Sequence, residues 1–345
     1  MKALVLEDYK KLVYKDVPVP QIKADEVLIN VKASSICGSD VHGYDGSSGR
    51  RIPPVIMGHE ASGVIAEVGS QVKNFQVGER VTFDSTIYCG QCHYCRQGLT
   101  NLCSNRSILG VSCPEYRRDG TFAQYVAVPE RILYRIPDNV SFEDAAMVEP
   151  LSVAFHAINI TDVKLGDTVL VIGAGTIGLL IIKLLRVSNA ARIIVSDLDE
   201  EKLKIAKECG ADFCFGPDVD LLAEVEKLTG EGVDVAFEAV GINVTVQNAI
   251  NATRKGGTVT LVGNVTPEVQ LPLQKVVTRE IRLQGSCASA GEYDRCLAMM
   301  DLGLVNMDGI ISQVAPLEEG QEWFDRLYRG ERGIVKVVLT PPSIG

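Results

Sequence analysis

From Val169 to Gly178 the chain reads Val-Leu-Val-Ile-Gly-Ala-Gly-Thr-Ile-Gly, and no other run constrains its fold so strongly. The apolar, mostly β-branched residues ask for a buried strand, and the glycines after them for a backbone that turns sharply and approaches something closely. Gly173 permits the tight turn, Gly175 leaves room for a pyrophosphate against the main chain, and Gly178 lets the next helix lie on the strand. The positive end of that helix then faces the phosphates. A second strand is expected to end at Asp197, 19 residues past Gly178, where a carboxylate accepts hydrogen bonds from ribose hydroxyls and repels a 2′-phosphate. The pattern predicts a dinucleotide site that prefers NAD to NADP. Ile177 and Val262 are further candidates to line it, and Lys202 either reaches the same ribose or stands solvated on its helix.

The surrounding rhythm extends this motif into a domain. Strand patterns at 168–172, 192–197, 233–238 and 257–263 alternate with helix patterns at 176–187, 200–209 and 244–253. Residues 151–286 are therefore expected to form an α/β domain on a doubly wound parallel sheet. Residues 1–150 have another texture, with short alternating or β-branched runs at 26–33, 63–68, 80–83 and 122–128 between Gly, Pro and Asp, which reads as a β-rich domain with long loops. A helix at 292–301 and a final strand at 335–339 are too little for a third domain, so 287–345 is assigned back to the first. A length of 345 residues suits two cores.

A net charge of −10 leaves no broad basic face for a nucleic acid. No apolar run reaches the ~18 residues of a membrane span, and the most apolar stretch, 169–185, is broken by three glycines. The N-terminus turns acidic at Glu7 and Asp8, too early for a signal peptide. The protein is expected in the cytoplasm, where its ten cysteines stay reduced or bind metal.

Four of those cysteines, Cys89, Cys92, Cys95 and Cys103, are spaced C-x2-C-x2-C-x7-C within a lobe at 88–104. Four close thiols are what tetrahedral zinc requires, and binding would couple their deprotonation to the folding of the lobe. The other readings are disulfides or free surface thiols. Cysteines three apart seldom reach disulfide geometry, and a reducing compartment disfavours the bond further.

Cys37-Gly-Ser39-Asp40-Val-His42 and Gly58-His59-Glu60 bring a thiol, imidazoles and carboxylates into the β-rich half. Taken singly, such residues are more often packed in a core than bound to metal. With Glu149-Pro-Leu-Ser-Val at 149–153, Gly-His-Glu-Ala-Ser-Gly at 58–63, the four-cysteine lobe and the glycine fingerprint, however, the whole chain resembles the medium-chain zinc alcohol dehydrogenases, and most of all their sorbitol and polyol dehydrogenase branch.

That resemblance implies a GroES-like catalytic domain beside a Rossmann domain, two zinc ions per chain and NAD. It implies that Cys37 and His59 bind the catalytic zinc and that Glu149, where the alcohol dehydrogenases carry a second Cys, binds it directly or through a water, with Glu60 the alternative carboxylate ligand. It assigns a proton relay from Ser39 through the nicotinamide ribose to His42, and Asp40 to the orientation of His59; His42 is otherwise a loop histidine without a role. Lys336 would reach toward the cofactor pyrophosphate, or else serve as an edge charge in a terminal strand.

Tyr44, Arg50, Arg51, Arg117, Arg118 and Phe122 lie, by the same resemblance, in loops around a substrate cleft. Paired arginines suit a phosphate or carboxylate, and solvated surface arginines are the plainer reading. The branch often holds substrate with an Arg where this chain reads Gly285-Ser-Cys-Ala-Ser-Ala. The expected reaction is oxidation of a polyol's secondary alcohol, phosphorylated or not, to a ketone. The alternatives are amino-alcohol oxidation of the threonine 3-dehydrogenase kind and a non-catalytic binding relative. Relatives assemble through the cofactor-domain sheet, so a homo-oligomer is expected, a tetramer before a dimer.

Overall fold

The structure, a computed structural model, describes residues 1–188 and 190–342. Two compact units divide the chain, Met1–Glu149 with Ala290–Gly345, and Pro150–Ser289.

The second unit is built on a six-stranded sheet in the order Phe213–Phe215, Arg192–Ser196, Thr168–Ile172, Val233–Glu238, Thr253–Leu261, Arg282–Gly285. Every neighbouring pair is parallel. The order runs outward both ways from Thr168–Ile172, and loops at the carboxyl ends of strands beside such a reversal are where open α/β sheets bind ligands. The central strands Thr168–Ile172 and Arg192–Ser196 read as near-continuous apolar runs, and Leu170, Ile172, Ile194, Ala236 and Val259 are buried together. Helix Thr176–Val187 buries Gly178 through Ile182, Leu184 and Leu185. The second strand ends at Ser196, which leaves Asp197 as the first residue past it.

In the first unit a sheet runs Leu133–Arg135, Arg80–Phe83, Glu60–Val68, Glu26–Ser35, Lys336–Thr340, Ile311–Pro316, with Tyr125–Pro129 also paired to Glu26–Ser35. Its centre determines the site. Ser35 pairs with Glu60 across one antiparallel ladder and with Val338 across the other. Cys37, two residues beyond Ser35, caps the helix Gly38–Tyr44.

Beyond residue 285 the unit holds more than one helix and one strand. Strand Ile311–Pro316 and helix Gly320–Tyr328 also form, the helix burying Trp323 and Phe324. The run at 122–128 starts its strand only at Tyr125, while Phe122 is fully buried in the core with Tyr44, Met57 and Phe324. Among the described residues no helix is long and apolar enough to cross a membrane.

Candidate active site and metal centres

The catalytic constellation is assembled by the pairing at the sheet centre. Ligating atoms of Cys37, His59 and Glu60 all lie within 4.8 Å of one another. Glu60 and His59 are buried and Cys37 is half-buried. Three protein ligands with room for a fourth group is the pattern of a catalytic zinc site, and these donors fit it.

Each ligand is held from behind. Asp40 is completely buried, with Oδ1 3.4 Å from His59 Nδ1 and 2.9 Å from Arg51 Nη2. Burial works against its ionisation, but His59 and Arg51 outweigh that and hold its carboxyl well below the usual range. Asp40 Oδ2 accepts the Cys37 N–H at 3.3 Å, and Cys37 Sγ accepts the Ser39 N–H at 3.5 Å. The Ser35 hydroxyl donates to Glu60.

Lys336 is not an edge charge. Its strand is interior to the sheet and the side chain is 2% exposed. Its ammonium donates to Glu60 Oε2 at 2.8 Å, Glu60 Oε1 at 3.1 Å and the Ile36 carbonyl at 3.1 Å. An ammonium has three donors, so none remains for a pyrophosphate, and Lys336 belongs to the metal-site carboxylate. Burial opposes its charge, but Glu60 and Cys37 keep it protonated.

Glu149 is buried at the start of helix Val148–Asn159, and its Oε1 accepts the Ser85 hydroxyl at 2.8 Å. It lies outside the group of mutually close ligand atoms. It is near enough for His59 and Glu60 to act on its charge, and burial raises its pKa. Ser39 and His42 are both exposed on helix Gly38–Tyr44, three residues apart and so on one face.

The four cysteines of the lobe also bring their sulfurs within 4.8 Å of each other. Cys92 Sγ lies 3.5 Å from Cys95 Sγ and 3.9 Å from Cys103 Sγ. Tetrahedral zinc with sulfurs ~2.3 Å away sets them ~3.8 Å apart, so the donors fit. Backbone N–H groups of Cys95 and Ser104 pull the Cys92 thiol down to about 6, toward the thiolate that binds metal. All ten cysteines are free thiols, which leaves the disulfide reading without support.

In the second unit Gly173 takes φ +98°, and a side chain there would strike Val240. A Cβ on Gly178 would lie 1.8 Å from the Gly173 carbonyl oxygen, whereas one on Gly175 meets nothing within 4 Å. Gly175 thus stands at the start of the helix facing open space, as a phosphate cradle requires. Asp197 steadies it: Oδ2 accepts the Ala174 N–H at 2.6 Å and Oδ1 the Asp199 N–H at 2.8 Å. Ile177 is half-buried on the helix that opens there. Val262 follows the strand Thr253–Leu261, with its N–H on the Glu238 carbonyl at 2.9 Å. Lys202 is half-buried, and its ammonium has no partner among the described residues.

The expected substrate residues fare differently. Tyr44 is a core residue whose hydroxyl donates to Asp325 at 2.7 Å, and Phe122 is equally buried. Arg118 is tied to Glu26 at 2.9 Å and to the Ala127 carbonyl, and Arg51 to Asp40 and Ser39. Only Arg50 and Arg117 of the four arginines are exposed. Sequence reasoning passed over Ser35 and Ser85, because a lone serine carries no spacing signal; only strand register and the helix start place them on Glu60 and Glu149.

Two family models match, the alcohol dehydrogenase GroES-like domain over residues 23–138 and the zinc-binding dehydrogenase over 176–302. Sorbitol dehydrogenase of Bacillus subtilis (strain 168) is 35% identical over 347 residues, covering 99% of this chain and 97% of that protein. The crystal structure of a Sinorhizobium meliloti 1021 protein described as a zinc-binding dehydrogenase, bound to NADP, superposes with a TM-score of 0.90 at 33% identity over 99% of each chain. Galactitol-1-phosphate dehydrogenase of Escherichia coli gives 0.91 at 26% identity, covering 99% of this chain and 100% of that one. The chain belongs to the zinc-dependent medium-chain alcohol dehydrogenase family, alongside sorbitol dehydrogenase.

Proposed function

We propose that this protein oxidises a secondary alcohol of a free polyol to a ketone, with NAD as hydride acceptor. The observation that carries the reading is the meeting of Cys37, His59 and Glu60 ligand atoms within 4.8 Å, with the buried carboxylate of Glu149 close by. Zinc held there supplies a Lewis acid that lowers the pKa of a substrate hydroxyl, and NAD supplies the electron acceptor that redox-inert zinc cannot be. Glu149, held by Ser85, is positioned to accept a hydrogen bond from a water or a second polyol hydroxyl. Asp40 places its carboxylate 3.4 Å from His59 Nδ1 to orient the ring, Lys336 balances the charge of Glu60, and Ser39 passes the released proton toward His42.

NAD rather than NADP is supported by Asp197, whose carboxylate would face a 2′-phosphate. The relative from Sinorhizobium meliloti binds NADP, so the preference is this chain's own property to be tested. A free polyol is favoured over a phosphorylated one because Arg51 and Arg118 are committed inside the fold. The cytoplasm is the proposed compartment. A homotetramer, or a dimer as the smaller assembly, is supported by apolar Leu271, Leu273 and Val277, exposed in the segment leading to the outer strand Arg282–Gly285.

The test is a panel of sorbitol, xylitol, galactitol, their phosphates and L-threonine, followed as NADH absorbance with the zinc-loaded full chain. Turnover is expected with free polyols, at lower kcat/KM with the phosphates, and at least tenfold less with NADP. Turnover of threonine alone, or of phosphates by preference, would contradict the proposal.

A further inference from the structure

We propose that Arg51 is a positioning residue of the catalytic zinc site, holding the Ser39 hydroxyl and the Asp40 carboxylate with a single amino group; the inference rests on the dehydrogenase reading above. Arg51 Nη2 lies 3.1 Å from Ser39 Oγ and 2.9 Å from Asp40 Oδ1. That same Asp40 oxygen is 3.4 Å from His59 Nδ1, and the other accepts the Cys37 N–H. One guanidinium therefore connects the relay hydroxyl to groups that orient two metal ligands.

The arginine is built into place. Its side chain is 4% exposed, and its aliphatic stem runs over Gly43, where a Cβ would come within 2.5 Å of Arg51 Cδ and 2.8 Å of Cγ. Both neighbours are clamped by one residue pair: the Arg50 carbonyl accepts the N–H groups of Ser112 and Cys113 at 3.0 and 3.1 Å, while Ser112 Oγ bonds Ile52 N–H at 2.5 Å and Ile52 O at 2.8 Å. So much restraint on one buried cation is not explained by stability. Arg51 Nε is buried without a hydrogen-bond partner among the described residues, and buried ion pairs are often no more stabilising than apolar residues of the same volume.

The geometry does explain it. A serine hydroxyl has one proton and two lone pairs. Because Ser39 Oγ accepts from Arg51, its own proton is left to be donated, and the direction of that donation is narrowed. An arginine never loses its proton under working conditions, so Arg51 directs the relay without joining it. Through Asp40 the same side chain sets a carboxylate oxygen 3.4 Å from the buried His59 Nδ1, where a metal-bound imidazole needs one to orient its ring.

The full chain carrying Arg51→Met, Arg51→Lys or the pair Asp40→Asn with Arg51→Met tests this by two readouts. The first is the rate at which zinc passes to a chromophoric chelator, and the second is kcat and KM with a polyol and NAD. Arg51→Met is expected to release its catalytic zinc about tenfold faster and to lose about 10- to 100-fold in kcat, with KM for NAD unchanged. Arg51→Lys recovers part of both losses, since one ammonium can serve Asp40 or Ser39 but lacks the fork that serves both. The double variant leaves no unpaired buried charge, so it folds, and it remains slow. Wild-type zinc release and kcat in Arg51→Met, or wild-type kcat in the double variant, would overturn the proposal. If the wild-type protein itself oxidises no alcohol, the functional reading fails, and zinc release alone decides Arg51: faster release upholds its role, unchanged release refutes it.

Discussion

Gly175 and Gly178 stand three residues apart and answer differently to one added methyl group. At Gly178 a Cβ would fall 1.8 Å from a carbonyl oxygen, so Gly178→Ala is expected to destabilise the second unit by about 3 kcal/mol or to leave it insoluble. At Gly175 the methyl group meets nothing within 4 Å and enters only the space a pyrophosphate would take. Gly175→Ala should therefore melt with the wild type yet bind NAD about tenfold more weakly, a loss of about 1.4 kcal/mol by titration. Equal loss of stability in both variants would remove the cofactor reading of Gly175. These glycines and the side chains that gather as candidate zinc ligands, Cys37, His59 and Glu60 and the four cysteines of the lobe, were legible as patterns because their chemistry is tied to spacing along the chain. Lys336, Arg51, Arg118, Tyr44 and Phe122 were not, because what decides their use is a partner distant in sequence, such as Glu60 or Asp325.

Asp84 supplies a pH prediction. Burial raises its pKa to about 8, Glu149 and Glu292 add to the rise, and the Thr86 N–H opposes it. An unfolded Asp titrates near ~3.9. Between the two values the unfolded chain releases this proton while the folded chain keeps it, so stability is full below pH ~4 and declines as pH rises to ~8. Asp84→Asn removes that contribution. The wild type should lose on the order of 5 °C more in Tm than the variant between pH 5 and pH 8, and parallel Tm curves would show that Asp84 is not buried as a neutral acid.

At the scale of elements, the four-cysteine lobe has little to fold around except metal. Its helices are the short turns His93–Arg96 and Thr100–Leu102, neither with a side-chain cap, and the strands that flank it, Thr86–Ile87 and Ser107–Ile108, are two residues long. Cys95→Ser is expected to lose one zinc per chain and to speed amide exchange across 89–103 by at least about 100-fold, while Thr168–Ile172 stays protected. Retained protection in the lobe would mean that packing, not metal, orders it. Helix Gly320–Tyr328 shows where element reading failed. Its apolar residues are few, and exposed Glu322 with half-buried Gln321 and Arg326 interrupts a face on which Gly320, Trp323, Phe324 and half-buried Leu327 pack inward. Four of the six parallel strands of the second unit were easier to read, because their buried stretches are largely apolar, whereas Phe213–Phe215 is only three residues long and Arg282–Gly285 reads Arg-Leu-Gln-Gly, and neither carries such a run.

For the whole molecule, the claim is that the first unit holds two zinc sites of different kind, and that only one of them does chemistry. Metal analysis joined to turnover separates them. Cys37→Ser should retain one zinc per chain, keep the wild-type Tm within about 2 °C, and produce no NADH from any polyol, since the open site has lost a ligand and the cysteine lobe has not. A Cys37→Ser protein that still carries two zinc ions and oxidises polyols at the wild-type rate would contradict the account.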